Sequence, residues 1–306
     1  MSDNSSPRPG TGFATVAKAT MAFVLGLTLA TGTSAQTIRQ DVGGSERINL
    51  AGQLGTLSQR IIASACNLDA GISVVESNAV LQISADQFGR IREALLYGNR
   101  GFGILGEEAR PRTLQVIGDL NTSWTPLLDR AVDTQVAAAD AAQIATLANQ
   151  SDPLLGSANI LVSEITGQYA DPVALLHADA LLIDLAARQR LLSAKMSKDV
   201  CLIASGINTT EAREELQSSI KLFDDTLSAL RNGLDSVGVR PPPTDQIADG
   251  LQFVVEEWTA IQPYLDQSLA GETLDNDTRQ KLFFAFLGME ARMNNVVVMY
   301  NKNSKL

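Results

Sequence analysis

The chain has a single histidine, His177, and only two cysteines, Cys66 and Cys201, in 306 residues. That scarcity removes most metal chemistry. A di-iron helical bundle needs Glu-x-x-His pairs on two helices, which one histidine cannot supply. Ser-His-Asp catalysis would rest wholly on His177, which opens a helical pattern rather than sitting on a strained turn. No glycine-rich phosphate loop follows a strand. Neither enzymatic activity nor a cofactor is therefore expected. Aromatics make up only 5% of the chain. β-Branched alternation is scarce while Ala and Leu abound, which argues for helices over sheets. A basic surface is lacking too: 24 Lys+Arg stand against 34 Asp+Glu. Nucleic acid, whose footprint is basic, is not expected as a partner, and the acidic balance favours solubility.

Long apolar runs are also missing. The stretch from Met21 to Ala30 falls short of the roughly 20 residues needed to cross a bilayer, and no later segment reads as transmembrane. Arg8 and Lys18 precede that stretch, and Thr33-Ser34-Ala35 offers small residues before Gln36, the pattern of a cleaved secretory signal. Residues 1–35 are read as a signal peptide. The remaining chain, with 22 basic and 33 acidic residues, is expected to be soluble and periplasmic.

What the sequence does contain is a repeat. Ile48 to Ile72 and Ile183 to Ile207 align without a gap at an offset of 135. They match at Ile48/Ile183, Leu50/Leu185, Ala51/Ala186, Leu57/Leu192, Ser58/Ser193, Cys66/Cys201, Gly71/Gly206 and Ile72/Ile207. Arg60 stands opposite Lys195. The offset persists through Phe88, Ala94, Leu95 and Gly98, which meet Phe223, Ala229, Leu230 and Gly233; with one residue of slippage, Trp124 meets Trp258. Self-similarity over this length implies duplication of a whole module.

Breakers divide each module into four helical spans. In the first these are roughly 45–77, 79–105, 112–132 and 138–169; in the second, 172–205, 210–237, 244–269 and 275–301. Gly101, Gly103, Gly106 and Pro111 interrupt the first module, and Pro241-Pro242-Pro243 the second. Asn208-Thr209-Thr210-Glu211 reads as a helix N-cap. Apolar residues recur at three and four, as in Leu216, Ile220, Phe223, Leu227 and Leu230, the mark of one buried helix face. The fold class expected is all-α: two tandem antiparallel four-helix bundles, residues 36–170 and 171–306, forming an elongated protein. With only Ala170 and Asp171 between the modules and Pro172 suited to a first turn, the fourth helix is expected to run almost directly into the fifth.

Ile48-Asn49-Leu50-Ala51-Gly52 followed by Leu57-Ser58-Gln59-Arg60, and Ala187-Arg188-Gln189-Arg190-Leu191-Leu192-Ser193 in the second copy, resemble the PilJ-type domain. That domain occurs at the N-terminus of type IV pili methyl-accepting chemotaxis transducers. The signature is similar also to the periplasmic P-box of nitrate and nitrite sensor kinases. The resemblance implies a four-helix periplasmic sensor whose first helix carries an arginine that binds the anion at a subunit interface. That arginine falls at Gly55 in the first copy and at Arg190 in the second. A glycine has no side chain to ligate an anion, so the contact is expected in the second copy only. Relatives carry a kinase or methyl-accepting region that these residues do not include, so the signal is expected to pass to a membrane-bound sensor, chemotaxis or transport partner.

The candidate ligand-binding residues are Arg190, Arg188, Ser193, Lys195, Asn49, Ser58 and Arg60. Arginine suits planar oxyanions because its fixed fork of donors matches two oxygens at once. Arg188 and Arg190 sit two apart and point in different directions on a helix, so both serve one pocket only in a homodimer. Ser58 and Ser193 read equally as donors or as small residues that let helices pack closely. Trp124 and Trp258 read as core. His177, with Val42 at its offset, is incidental. Cys66 and Cys201 read either as buried thiols or as a bridge, which export permits if their Cα atoms come within about 7 Å. The expected function is an exported sensory accessory protein for a small oxyanion such as nitrate or nitrite. The alternative is a docking protein that uses its helices as a surface and binds no small molecule.

Overall fold

The structure is a computed structural model, and it describes residues 43–133, 141–169 and 177–304. The expected signal peptide, Pro172, the junction at 170–171 and the side chain of His177 lie outside the described residues. The fold is all-α. In chain order the helices are α1 (Gly44–Asp69), α2 (Val74–Tyr97), α3 (Pro111–Asp133), α4 (Ala141–Asn149), α5 (Ser151–Tyr169), α6 (His177–Ala204), α7 (Thr209–Asn232), α8 (Asp245–Ala270) and α9 (Asn276–Asn303). Among the described residues the only β pairings are the isolated bridges Asn99–Ile104 and Leu234–Val239.

Boundaries differ from the sequence reading where glycine sets the chain. The second helix ends at Tyr97 rather than at 105, because Gly98 takes φ +76°, and a Cβ there would lie 2.5 Å from the Gly106 carbonyl. Gly233 (φ +77°) ends α7 in the same way. The fourth span is two helices, α4 and α5, meeting at Gln150; Pro153, in the first turn of α5, lacks the N–H to continue α4. Asn208 does open α7, but in left-handed geometry (φ 46°) with no side-chain cap bond. Its amide instead donates to Asn149 Oδ1 at 2.6 Å.

The helices close into two rings. α1 packs on α2 and α5, and α3 closes the first ring against α2 and α5; α6 packs on α7 and α9, and α8 closes the second. The rings meet through α1 and α6, which lie side by side. A disulfide joins Cys66 to Cys201, with Cα atoms 6.1 Å apart. Asn49 meets Arg190 further toward the N-terminal ends, so α1 and α6 run in parallel. The halves therefore stand flank to flank through their first helices.

Local geometry recurs at the 135-residue offset. Ser73 and Asn208 both adopt left-handed backbone (φ 44° and 46°), and the two bridges and their short 3₁₀ turns, Arg100–Phe102 and Asp235–Val237, coincide. In each ring an aromatic pair fills the centre: Phe88 with Trp124 at 4.3 Å, Phe223 with Trp258 at 4.4 Å. The polar handles differ. Trp258 Nε1 donates to Asp224 at 2.6 Å, whereas the buried Trp124 Nε1 has no partner because Gly89 stands where Asp224 does. A Cβ at Gly89 would meet nothing within 4 Å. Gly89→Asp is therefore expected to stabilise by about 1–2 kcal/mol, joining a new bond to a buried donor with removal of a mid-helix glycine. A thermal midpoint equal to or below that of the parent would reject this.

α9 has the length and hydropathy of a membrane-crossing helix, which the sequence reading had not recognised. Its apolar side is spent internally, since Phe283, Phe286, Met289, Met293, Val296 and Val297 are buried.

Candidate functional site

α1 and α6 expose few of their polar residues, because each is enclosed by its own ring and by the other. Arg190 on α6 is 2% exposed. Its two terminal nitrogens donate to Asn294 Oδ1 at 2.7 Å and Asn49 Oδ1 at 3.0 Å, drawing α9 and α1 onto α6. Its Nε has no partner. Beside it opens a cavity of about 170 Å³ lined by Gln53, Thr56 and Arg60 of α1, Gln87 of α2, Arg190, and Glu290 and Asn294 of α9. Arg60 reaches Glu290 Oε2 and Gln87 Oε1, each at 3.4 Å, and its own Nε is unpartnered. Glu290 Oε1 is buried and unpartnered too.

The electrostatics follow from burial. It pushes the Glu290 carboxyl up to about 7, against the pull of Arg60 and Arg190. It lowers Arg190 to about 10, with Arg60 adding to the effect and Glu290 opposing it. The cavity is thus lined by two guanidinium groups and one carboxyl whose charged form burial disfavours, and it is positively biased. Such a chamber suits a small anion.

Of the candidates from the sequence, Arg190, Arg60 and Asn49 come together here. Arg188 does not: it is exposed and pairs with Asp184 at 2.8 Å along its own helix. Ser58 and Ser193 are fully buried and donate to the carbonyls of Gly55 (2.6 Å) and Gln189 (3.0 Å), so both serve close packing. Lys195 belongs to a different cluster. It donates to Glu215 Oε2 at 2.9 Å, as does Lys198, which also donates to Ser151 and faces Asp199 at 3.1 Å. Asp199 is fully buried, and burial raises it to about 7; Glu215, though burial works upward on it, is held at about 2 by Lys198 and Lys195.

Glu290 and Asn294 escaped the sequence reading. The available signal was a lone acid inside Leu287-Gly288-Met289-Glu290-Ala291, four residues from Phe286 and from Asn294, and hence on one helix face with both. In the half-chain related by the offset the two charged residues have no counterparts. Gly55 stands in place of Arg190 and Leu155 in place of Glu290, and a Cβ on Gly55 would already lie 3.3 Å from Leu155. Where one half sets a cation beside an anion, the other sets a glycine against a leucine.

Residues 174–281 match the family described as Type IV pili methyl-accepting chemotaxis transducer N-term, PilJ. The match spans α6, α7 and α8 with the first turn of α9, and so contains Arg190 but neither Glu290 nor Asn294. The segment is thus similar to the N-terminal sensory domain of chemotaxis transducers. No curated protein matches the chain significantly.

Proposed function

We propose that this chain is a periplasmic sensory protein whose ligand is a small oxyanion, such as nitrate or nitrite, held in the chamber between α1, α6 and α9. The reading takes residues 1–35 as a signal peptide and residues 36–170 and 171–306 as two tandem copies of the PilJ-type domain, joined through α1 and α6. The observation that carries it is Arg190: a nearly fully buried guanidinium at the contact of the two halves, with an unpartnered Nε beside a cavity that a second arginine, Arg60, also lines. In the P-box kinases, whose signature the first-helix motif resembles, the anion arginine works at a contact between subunits; in this reading the α1–α6 contact would serve instead, within one chain. An anion drawn between Arg190 and Arg60 would bear on α1 and α6 together, so their relative placement is what a membrane-bound partner would read.

Thermal unfolding of residues 36–306 with nitrate, nitrite and other small anions at constant ionic strength tests the reading. An anion at 100 times its Kd adds about 2.7 kcal/mol, several degrees for a chain of this size. Arg190→Ala is expected to abolish the shift. Equal shifts in parent and variant would remove Arg190 from the site, and no shift with any anion would favour the docking-surface alternative.

A further inference from the structure

Glu290 is the one carboxyl in the oxyanion chamber, and it is poorly held. It is 4% exposed, its Oε2 sits 3.4 Å from Arg60, and its Oε1 has no partner. Arg190 does not donate to it, because both terminal nitrogens are committed to Asn294 and Asn49. Among the described residues no charge beyond Arg60 and Arg190 acts on it. The charged groups facing it are Arg60 from α1 and Arg190 from α6; α2 brings the neutral Gln87, and the nearby Glu257 of α8 is engaged by Arg292 on the outer side of α9. An ionised Glu290 and an external oxyanion would thus share two guanidinium groups and about 170 Å³, and like charges so close repel.

We propose that Glu290 is a tethered counter-anion that must take up a proton before an external oxyanion enters, so that the chamber binds its anion and one proton together. The proposal rests on the oxyanion reading above and adds its regulation. Protonation does two things: it removes the competing charge, and it converts an acceptor into an O–H donor. The protonated form is within easy reach, since burial already lifts this carboxyl to about 7. Bound anion would lift it further, because the coupling between the two ligands is reciprocal. The sign is fixed. Below the folded-state pKa of Glu290 affinity is independent of pH, and above it each pH unit weakens binding by about tenfold, the slope for one linked proton.

Isothermal titration of sodium nitrate and sodium formate into residues 36–306 tests this at a series of values from about pH 5.5 to about pH 8.5, around the Glu290 transition. Repeating each titration in buffers of different ionisation enthalpy reports proton uptake. The expected result is a flat Kd at the acid end, a tenfold-per-unit loss at the alkaline end and uptake of a proton on binding at about pH 8. Glu290→Gln, which keeps the shape without the charge, is expected to bind with a flat Kd throughout and no uptake. A flat Kd in the parent, or a slope that persists in Glu290→Gln, would overturn the gate while leaving the anion site standing. Absence of binding by both chains at every pH would overturn the site and the gate with it.

Discussion

Removing the Cys66–Cys201 bridge is expected to cost about 5 kcal/mol of stability, the largest single effect in this molecule. The bridge spans 135 residues, and closing a loop of that size in the unfolded chain restricts it by about 5 kcal/mol in the chain-entropy account. Both sulfurs are buried, at 1% and 2% residue exposure, so Cys66→Ala with Cys201→Ala also opens a small void, which adds to the loss. Urea unfolding of the double variant beside the oxidised parent measures it, and reduction of the parent in urea should bring its midpoint near that of the variant. A midpoint within a few tenths molar of the oxidised parent would mean that α1 and α6 already hold each other in the unfolded ensemble, and that the entropic account fails here.

The cysteines illustrate how far the sequence reaches. Their shared offset with the repeat was legible, as were the all-α class and the buried helix faces, because apolar spacing and repeated breakers are local properties. The pairing was not. Equivalent residues on two first helices touch only if those helices lie parallel at a twofold-like axis, and nothing in either helix taken alone says so. The same juxtaposition decided the chamber. Arg60 and Arg190 were visible as candidates, yet they stand on different helices, 130 positions apart, and Arg188, a further candidate, faces solvent on α6. Glu290 was the harder case. A carboxylate within an apolar helix reads as a surface residue, and only burial from three sides turns it into a titrating group near neutrality. The paired difference between the halves was hidden for the same reason: Gly55 marks the missing arginine, while Leu155 is recognisable as its neighbour only once α5 is seen against α1.

Lys198→Ala is expected to destabilise by about 3–5 kcal/mol, the range for removing one partner from a buried ionic cluster. Lys198 is 2% exposed and its ammonium serves Glu215 at 2.9 Å, Asp199 at 3.1 Å and Ser151 at 3.1 Å. Without it, Asp199 and Glu215 keep only the partly exposed Lys195 nearby. The pH dependence separates this from loss of packing. Glu215 is depressed in the fold to about 2 from 4.5, so its stabilising contribution is present above its unfolded pKa and is lost as pH falls toward 2. Asp199 behaves oppositely. Raised to about 7 from 3.8, it holds a proton in the fold that the unfolded chain has released, so its contribution wanes as pH rises between those values. Removing Lys198 weakens the first effect and strengthens the second, so the deficit should be largest at about pH 8 and shrink toward about pH 3. Replacing the pair as Lys198→Met with Asp199→Asn should recover much of the loss, because an apolar substitute with no stranded charge is tolerated where half an ion pair is not. Denaturation at the two pH values decides the matter: an equal deficit at both, or a double variant no better than Lys198→Ala, would assign the loss to the lysine's methylene packing instead.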